Sequence, residues 1–378
     1  MKHLNKGQKK VLFVATVVKK HIMEFHTPYL KMFKEMGWKT VVAARNDYEN
    51  PADCVIPYCD CYYDIPFERN PLKRQNIKAY FSLKRLIDTG NYDIVHCHTP
   101  VGGILARFAA RDARKKGLKV IYTAHGFHFY KGAPLLNWLL FYPVEWLCSW
   151  WTDVLITINK EDYRLAKRKF HAKNTEYVQG VGIDVSKFQD GLIDIEEKRK
   201  SLGLQKNDIM LFSVGELNKN KNHSVVIYAL AKMKNYQLHY FIAGSGKLKG
   251  NLKKLSKKLG IEKQVHLLGY RNDIVQLLQA ADIYLLPSRR EGLNVSLMEA
   301  MASGVPCIVS RIRGNTDLIL DSNCLVEANS VEGWKYALEN MLACRQRGKM
   351  PCMEGSRIIW QYDNLNIEKK IKEIYNIV

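Results

Sequence analysis

The chain has 378 residues, more than one hydrophobic core of ordinary size accommodates, so its length predicts two domains. The composition, 47% hydrophobic and 25% charged residues, excludes a disordered or fibrous protein. The formal net charge of +21 favours anionic partners, such as phosphorylated substrates, acidic membrane surfaces or nucleic acid.

Apolar segments rich in Val, Ile and Leu alternate with helical patterns along the first half of the chain. The strand candidates there are 11–17, 39–44, 93–98, 119–125 and 153–158. The helical patterns lie near 22–36, 76–88, 103–116, 136–150 and 161–170. Continuous apolar strands separated by helices are typical of a parallel sheet covered on both faces.

The alternation restarts after a glycine-rich segment that runs from Gly180 to Phe188. The second set of strand candidates is 209–215, 238–244, 265–269, 283–287 and 306–310. Two such rounds predict an α/β protein of two facing Rossmann-like domains with parallel sheets. We place these domains at 1–185 and 186–355, and expect 356–378 to form a helix that packs back on the first.

The residues that follow the strands are the candidates for ligand binding, because ligands of open parallel sheets bind beyond the carboxyl ends of the strands. In the first domain, His98, His125 and His128 occupy such positions. In the second, five glycines that let backbone approach a ligand follow strands, at positions 215, 244, 246, 269 and 292. Although one such glycine is ordinary turn chemistry, five together predict a nucleotide-sized cleft.

The segment REGLNVSLMEAMASGVP, from Arg290 to Pro306, combines a loop with the start of a helix. The N–H groups at that helix start favour a phosphate. Glu291 in the loop and Glu299 in the helix flank this position, and carboxylates accept paired hydrogen bonds from vicinal hydroxyls. We expect one acid to hold the sugar and the other the ribose of a nucleotide sugar. The alternative is that Glu299 is a solvated surface acid.

The Glu-x7-Glu spacing of this segment resembles the signature of the retaining glycosyltransferases of family 4, which have the GT-B fold. Further segments match in order over nearly the whole chain: DIVHCHTPVGG, YTAHGFHFY, GVGIDVSKF, SVGELNKNKNH, FIAGSG and AADIYLLPSRREGLN. Within that family the chain is most similar to bacterial enzymes of capsule, exopolysaccharide or O-antigen assembly. The resemblance implies a donor held by the C-terminal domain, retention of the anomeric configuration, no metal and no cofactor.

Position by position, the resemblance implies that Glu291 contacts the hydroxyls of the donor sugar, Glu299 the ribose, and Lys221 the departing diphosphate. His125 matches the histidine beside the sugar at the reaction centre, and the alternative is a histidine that caps the strand end. The implied donor-binding residues are Gly215, Glu216, Lys221, Gly244, Tyr270, Gly292, Leu293, Asn294, Val295 and Glu299.

The chain departs from the family pattern after the first strand of each domain. Glu216 stands where the family usually has an arginine, so Lys221 holds the diphosphate alone or is assisted by neighbouring cations, which are Lys219, Arg289 and Arg290. In the first domain the segment from Thr16 to Leu30 replaces a glycine pair. We expect the acceptor side to include His21, His26, His98 and His128. The alternative is an amphipathic helix with solvated histidines.

The most apolar window runs from Leu135 to Trp151 and contains Asn137, Pro143 and Glu145. It is too short, and too often interrupted by such residues, to span a bilayer. It suits an interfacial helix on an anionic membrane, and the alternative is a buried core helix. The basic N-terminus predicts no signal peptide, and nine scattered cysteines without a CxxC pair are interpreted as reduced thiols. We therefore expect a cytoplasmic protein at the inner face of the cell membrane.

The resemblance implies a retaining, metal-independent hexosyl or N-acetylhexosaminyl transferase. The expected donor is a nucleoside diphosphate sugar, with UDP as the expected nucleotide, and the acceptor is lipid-linked or an oligosaccharide. The alternative is a nucleotide-sugar 2-epimerase on the same architecture, against which the EGLNVSLME block argues. No nucleic-acid partner is expected, because no recognition motif accompanies the dispersed charge.

Overall fold

The computed structural model describes residues 7–189, 194–348 and 358–377. By contacts the chain divides into two compact units. The first comprises the residues up to Val181 together with those from Glu368 on, and the second is Gly182–Ile367. The final helix therefore begins in the second unit and ends in the first. Residues 356 and 357 of the predicted final helix lie outside the described part of the chain.

The first unit contains a seven-stranded sheet in the order β3-β2-β1-β4-β5-β6-β7, in which all neighbours are parallel. Its strands are β1 Lys10–Val17, β2 Lys39–Arg45, β3 Cys61–Asp64, β4 Ile94–His98, β5 Lys119–Ala124, β6 Val154–Thr157 and β7 Asn174–Tyr177. Its helices are α1 Met23–Phe25, α2 Thr27–Glu35, α3 Gln75–Gly90, α4 Pro100–Arg114, α5 Leu135–Ser149 and α6 Lys160–Lys169, with a π-helix at Val18–Ile22 and a 3-10 helix at Pro51–Asp53.

The second unit contains a six-stranded parallel sheet in the order β10-β9-β8-β11-β12-β13. Its strands are β8 Ile209–Val214, β9 Leu238–Ala243, β10 Val265–Gly269, β11 Ile283–Leu286, β12 Cys307–Ser310 and β13 Leu325–Val326. Its helices are α7 Ser186–Gln189, α8 Ile195–Ser201, α9 His223–Met233, α10 Lys249–Lys258, α11 Ile274–Ala280, α12 Val295–Ala302, α13 Asn315–Leu318 and α14 Val331–Gln346. Two 3-10 helices, Ser322–Cys324 and Ile359–Tyr362, precede the final helix α15 at Asn364–Ile377.

The prediction of an α/β protein with two Rossmann-like parallel sheets is confirmed. The central strands are apolar on both faces because helices cover both sides of each sheet. For example, β1 is buried from Val11 to Val17. Strands at the sheet edges were missed by the sequence analysis, namely β3, β7 and β13. The sequences of β3 and β7, CYYD and NTEY, carry charged and polar residues on half-exposed edges, so neither shows a continuous apolar run.

The single helix predicted near 22–36 is wrong in its details. The chain leaves β1 through the π-helix Val18–Ile22, and α1 and α2 then meet at His26. Pro28 lies in the first turn of α2, where its missing N–H costs nothing, so α2 begins as an independent helix. This break places side chains of the segment toward the carboxyl end of the sheet.

The cysteines are mostly free. The free thiols among the described residues are Cys54, Cys59, Cys61, Cys97, Cys148, Cys307 and Cys344. Cys324 forms a disulfide, so the interpretation of all cysteines as reduced thiols is wrong at this position. Among the helices of residues 7–189, 194–348 and 358–377, none has both the length and the apolar character that crossing a membrane requires.

Candidate active site

Glycines at the ends of β8 and β9 let the two strand ends approach closely. A Cβ on Gly215 would lie 2.9 Å from Cε of Lys221, and a Cβ on Gly244 would lie 2.0 Å from the carbonyl oxygen of Gly215. Side chains at these positions would displace backbone or the lysine. Gly215 therefore leaves room for the Lys221 side chain, and Gly244 leaves room for the backbone of Gly215.

The loop after β8 is tied to the loop after β11 by hydrogen bonds. Asn220 Nδ2 donates to the carbonyl oxygen of Arg290 at 2.9 Å, and the backbone N–H of Arg289 donates to the carbonyl oxygen of Asn220 at 2.8 Å. The Lys221 N–H donates to Oδ1 of Asn218 at 2.9 Å. These bonds hold Lys221 and the loop that carries Glu291 side by side.

Lys221 and Glu291 form an ion pair across 70 residues of sequence, with Nζ and Oε1 2.9 Å apart. Their side chains are 17% and 15% exposed, so water screens the pair less than it screens a surface pair. The cation that the sequence analysis expects at the diphosphate and the carboxylate that it expects at the sugar thus lie in contact with each other. The pairing holds both side chains in defined positions.

The backbone of Glu291 and Gly292 is supported by the segment after β12. Arg313, which is 8% exposed, donates from Nε to the carbonyl oxygen of Glu291 at 3.3 Å. A Cβ on Gly314 would lie 2.0 Å from the carbonyl oxygen of Gly292, so the two chain segments touch there. The sequence analysis missed Arg313. The available signal was Gly314, a glycine soon after a strand in the segment SRIRGN.

The start of α12 is capped by Asn294, whose Oδ1 accepts from the N–H of Leu297 at 3.0 Å and from Oγ of Ser296 at 2.7 Å. The backbone N–H groups of Val295 and Ser296 have no protein partner within the described ranges. These donors and the positive end of the helix dipole favour an anion. Leu293 is half-buried in the loop before the cap.

Glu299 is half-buried on α12, one turn beyond the capped start. Burial raises the pKa of its carboxyl to about 7, and the charge of Lys187 opposes that shift. Its carboxylate has no hydrogen bond or ion pair with any residue that the structure describes. It is therefore not the fully solvated surface acid of the alternative interpretation, and its oxygens are available to a ligand.

Other predicted donor-site residues are exposed. Glu216, at the end of β8, is exposed to solvent. Its carboxylate accepts a hydrogen bond from Nδ2 of Asn218 at 3.0 Å. Tyr270 is 80% exposed. The side chains of Lys219 and Arg290 are exposed, whereas Arg289 donates from Nη2 to Oδ1 of Asn222 at 3.2 Å.

The first unit brings together four of the predicted histidines, His21, His26, His98 and His125. His26 and His98 are 1% and 0% exposed, and His21 is 8% exposed. The alternative of solvated histidines on an amphipathic helix is therefore wrong, because the π-helix and the break at His26 direct these rings inward. His128 lies apart from the four and stacks on Phe141, with ring centres 4.7 Å apart.

Two family models match the chain, one in each half. The model described as glycosyl transferase 4-like matches residues 10–159, and the model described as glycosyl transferases group 1 matches residues 194–351. Over 97% of its length the chain is 40% identical to EpsD of Bacillus subtilis (strain 168), a protein assigned provisionally as a glycosyltransferase, and the match covers 96% of EpsD.

The chain belongs to the group 1 glycosyltransferases. It is also 31% identical to the UDP-Gal:alpha-D-GlcNAc-diphosphoundecaprenol alpha-1,3-galactosyltransferase of Escherichia coli, over 81% of each chain. These matches give no support to the alternative of a nucleotide-sugar 2-epimerase.

The fold of this glycosyltransferase agrees with solved structures of GT-B glycosyltransferases. A structure of Anabaena HepE in complex with UDP and glucose superimposes with a TM-score of 0.78 at 18% identity, covering 98% of this chain and 100% of the other. The structure of WaaG, a glycosyltransferase involved in lipopolysaccharide biosynthesis, superimposes with a TM-score of 0.73 at 19% identity, covering 96% and 99%. The predicted GT-B fold is thus confirmed, while the roles of individual site residues stay predictions.

Proposed function

We propose that this glycosyltransferase moves a hexose or N-acetylhexosamine from a UDP-sugar, with retention of configuration, to a lipid-linked or saccharide acceptor in bacterial surface polysaccharide synthesis. The observation that carries the proposal is the Lys221–Glu291 pair beside the start of α12. That arrangement offers a cation, oriented N–H donors and two carboxylates within one unit.

Each chemical group of the donor has a complementary group in this unit. The diphosphate lies against Nζ of Lys221 and the N–H groups of Val295 and Ser296, where positive charge is concentrated. The hydroxyls of the sugar replace Lys221 as the partner of the Glu291 carboxylate. The ribose diol donates to Glu299, whose carboxylate has no other partner among the residues that the structure describes.

Transfer requires stabilisation of the negative charge that develops on the diphosphate as the anomeric bond breaks. The positive charge of Lys221 stabilises the departing diphosphate without a metal ion, because the ammonium is fixed within the site before the reaction. The departing phosphate oxygen takes the proton of the attacking hydroxyl on the same face of the sugar. Attack on that face retains the configuration, and no protein base is required.

The acceptor class is supported by the name of the Escherichia coli relative, which specifies UDP-Gal as donor and a diphosphoundecaprenol-linked sugar as acceptor. A lipid-linked acceptor requires access to a membrane surface. The helix α5 exposes Leu135, Leu136, Leu139 and Leu140, which are 73%, 62%, 64% and 55% exposed. We place this face on the cytoplasmic leaflet of the cell membrane, where the net charge of +21 favours anionic lipid.

The proposal is tested by Glu291→Gln, which keeps the shape of the side chain and removes the charge. We expect the rate of sugar transfer from UDP-sugar to a lipid-diphosphate acceptor to fall about 10²-fold, while UDP affinity measured by calorimetry changes little. Glu262→Gln, at an exposed acid of the same unit, is the matched control and should leave both unchanged. Wild-type turnover by Glu291→Gln contradicts the sugar-holding role, and donor consumption without acceptor would favour the epimerase.

A further inference from the structure

Four histidines from separate segments converge at the carboxyl end of the first sheet. His21 lies in the π-helix Val18–Ile22, His26 lies between α1 and α2, His98 ends β4, and His125 follows β5. One ring nitrogen from each lies within 4.8 Å of those of the other three. Segments separated by up to about 100 residues thus deliver imidazoles to one point.

These rings are buried without the hydrogen bonds that buried imidazoles normally have. Both ring nitrogens of His26 and of His98, together with Nε2 of His21 and of His125, are buried and have no hydrogen-bond partner within the described part of the chain. A buried polar atom left unsatisfied destabilises the folded state, because it loses its hydrogen bonds to water. Six of them around one point indicate that the site binds a ligand that supplies the missing interactions.

The ring nitrogens of the cluster are suited to a transition-metal cation. In a neutral imidazole one ring nitrogen carries a lone pair that can bind the ion, and metal binding itself favours this form. The cluster offers one such nitrogen from each of its four histidines.

We propose that His21, His26, His98 and His125 bind one divalent transition-metal ion of the zinc type. Zn–N bonds of about 2.0–2.1 Å place the four nitrogens of a tetrahedral site roughly 3.4 Å apart. The nitrogens, now within 4.8 Å of one another, need to approach by at most about 1.4 Å to reach that spacing. Their centres, at separations of 3.7 to 6.0 Å, surround a common point.

The ligand set selects the class of ion. Four imidazoles suit Zn²⁺, Cu²⁺, Ni²⁺ or iron, whereas Mg²⁺ and Ca²⁺ prefer oxygen ligands that the cluster does not contain. Arg69 acts electrostatically on His21, and Asp47, Lys20 and Arg69 act on Glu24, so both cations and carboxylates lie around the cluster. An entry path exists, because His21 lines a cavity of about 780 Å³.

The ion would fix the segment that follows β1 against the ends of β4 and β5. This structural role is separate from the proposed metal-free chemistry at Lys221, and it departs from the expectation of a protein without metal.

A neighbouring histidine provides a matched control. His96 is fully buried, but its Nδ1 pairs with the hydroxyl of Tyr375 at 2.5 Å and its Nε2 with Oγ1 of Thr123 at 2.8 Å. Both of its nitrogens are thus occupied, and it is not a ligand in our proposal. His96→Gln perturbs the same core without removing a ligand.

The experiment uses the untagged full-length protein, purified without chelator and analysed for metals by mass spectrometry. We expect about one Zn²⁺ per chain in the wild type and in His96→Gln. In His98→Gln and His21→Gln, zinc affinity should fall at least about 10²-fold, the upper end of the loss caused by altering a residue that merely supports a ligand. Co²⁺ added to the chelator-treated wild type should give the visible bands of four-coordinate cobalt, and Zn²⁺ should raise its unfolding temperature.

Circular dichroism and a cooperative thermal unfolding transition of the first unit report whether each variant protein is folded, since the substituted histidines belong to that unit. If His98→Gln fails to fold, the variant of the more exposed His21 decides. The proposal is overturned if the wild type neither contains a transition metal nor takes up Co²⁺ or Zn²⁺ at micromolar concentration. It is equally overturned if both ligand variants bind zinc as tightly as His96→Gln does.

Discussion

At the scale of single residues, the donor site depends on how the charges of Lys221, Glu291 and Glu299 are satisfied. Lys221 and Glu291 neutralise each other at 2.9 Å. Glu299 has no such partner among the residues that the structure describes, and burial raises the pKa of its carboxyl. In the function proposed above, a nucleotide sugar satisfies all three, because its diphosphate and its two diols offer complementary groups.

The raised pKa of Glu299 makes stability depend on pH. Its carboxyl has a pKa of about 7 in the folded protein, against 4.5 for an unperturbed glutamic acid. Between these values the folded state binds more protons than the unfolded state, so the free energy of unfolding falls as pH rises through this range. Glu299→Gln removes this loss of stability, so the stability of the variant relative to wild type should be higher at pH 8 than at pH 4 by on the order of 3 kcal/mol.

Urea unfolding at pH 4 and pH 8 without nucleotide measures this difference. Glu262→Gln, at an exposed acid of the same unit, should show no comparable change between the two pH values. An equal difference between Glu299→Gln and wild type at both pH values would contradict the raised pKa.

At the scale of secondary-structure elements, α5 reverses the usual amphipathic arrangement. It buries its acid, Glu145, whose Oε2 accepts from Arg107 Nη2 of α4 at 2.7 Å and whose Oε1 accepts from Tyr122 at 3.2 Å. The guanidinium of Arg107 also lies 3.9 Å from the ring centre of Tyr122. This buried pair orients the helix so that its leucines face solvent, which decides against a buried core helix. An exposed apolar face of this kind marks an interaction surface.

The proposed membrane contact predicts that charge on this face weakens vesicle binding. The double variant Leu135→Glu/Leu139→Glu should bind vesicles containing phosphatidylglycerol at least about tenfold more weakly, since burying one leucine is worth about 1.5–3 kcal/mol. Co-sedimentation measures the binding. Leu320→Glu, at a leucine of the second unit that is 62% exposed, is the control for added charge. Equal losses in both proteins would show that net charge alone governs binding.

At the scale of the whole molecule, each unit has its own parallel sheet and its own buried core. The donor-site residues all belong to the second unit, whereas the histidine cluster belongs to the first. Ligands of the two sites should therefore leave separate signatures in the protein.

We expect saturating UDP to slow hydrogen exchange at the loops 215–221 and 290–296 of the second unit. At a concentration 100 times the Kd, UDP raises the free energy of unfolding of the state that binds it by about 2.7 kcal/mol. Exchange measured by mass spectrometry locates the effect. Lys221→Met should lose most of this protection, and protection restricted to the first unit would contradict the placement of the donor.

The sequence predicted the strands and helices of both sheets well because burial on both faces leaves continuous apolar runs. It missed three of the four edge strands, β3, β7 and β13, and predicted the fourth, β10, at its observed bounds. The half-exposed residues of β3 and β7 lack that pattern. The sequence also placed Glu291 in a loop and Glu299 in the helix that follows. The helix begins at Val295, between the two acids.

Only the tertiary structure showed which distant residues meet. The pairing of Lys221 with Glu291, the support from Arg313 and the convergence of the histidines join segments far apart in the chain. The outward orientation of the leucines of α5 likewise depends on a buried partner in another helix. Local patterns fix which elements form, because they depend on neighbouring residues. Contacts between side chains depend on how the elements pack, and no local pattern encodes that packing.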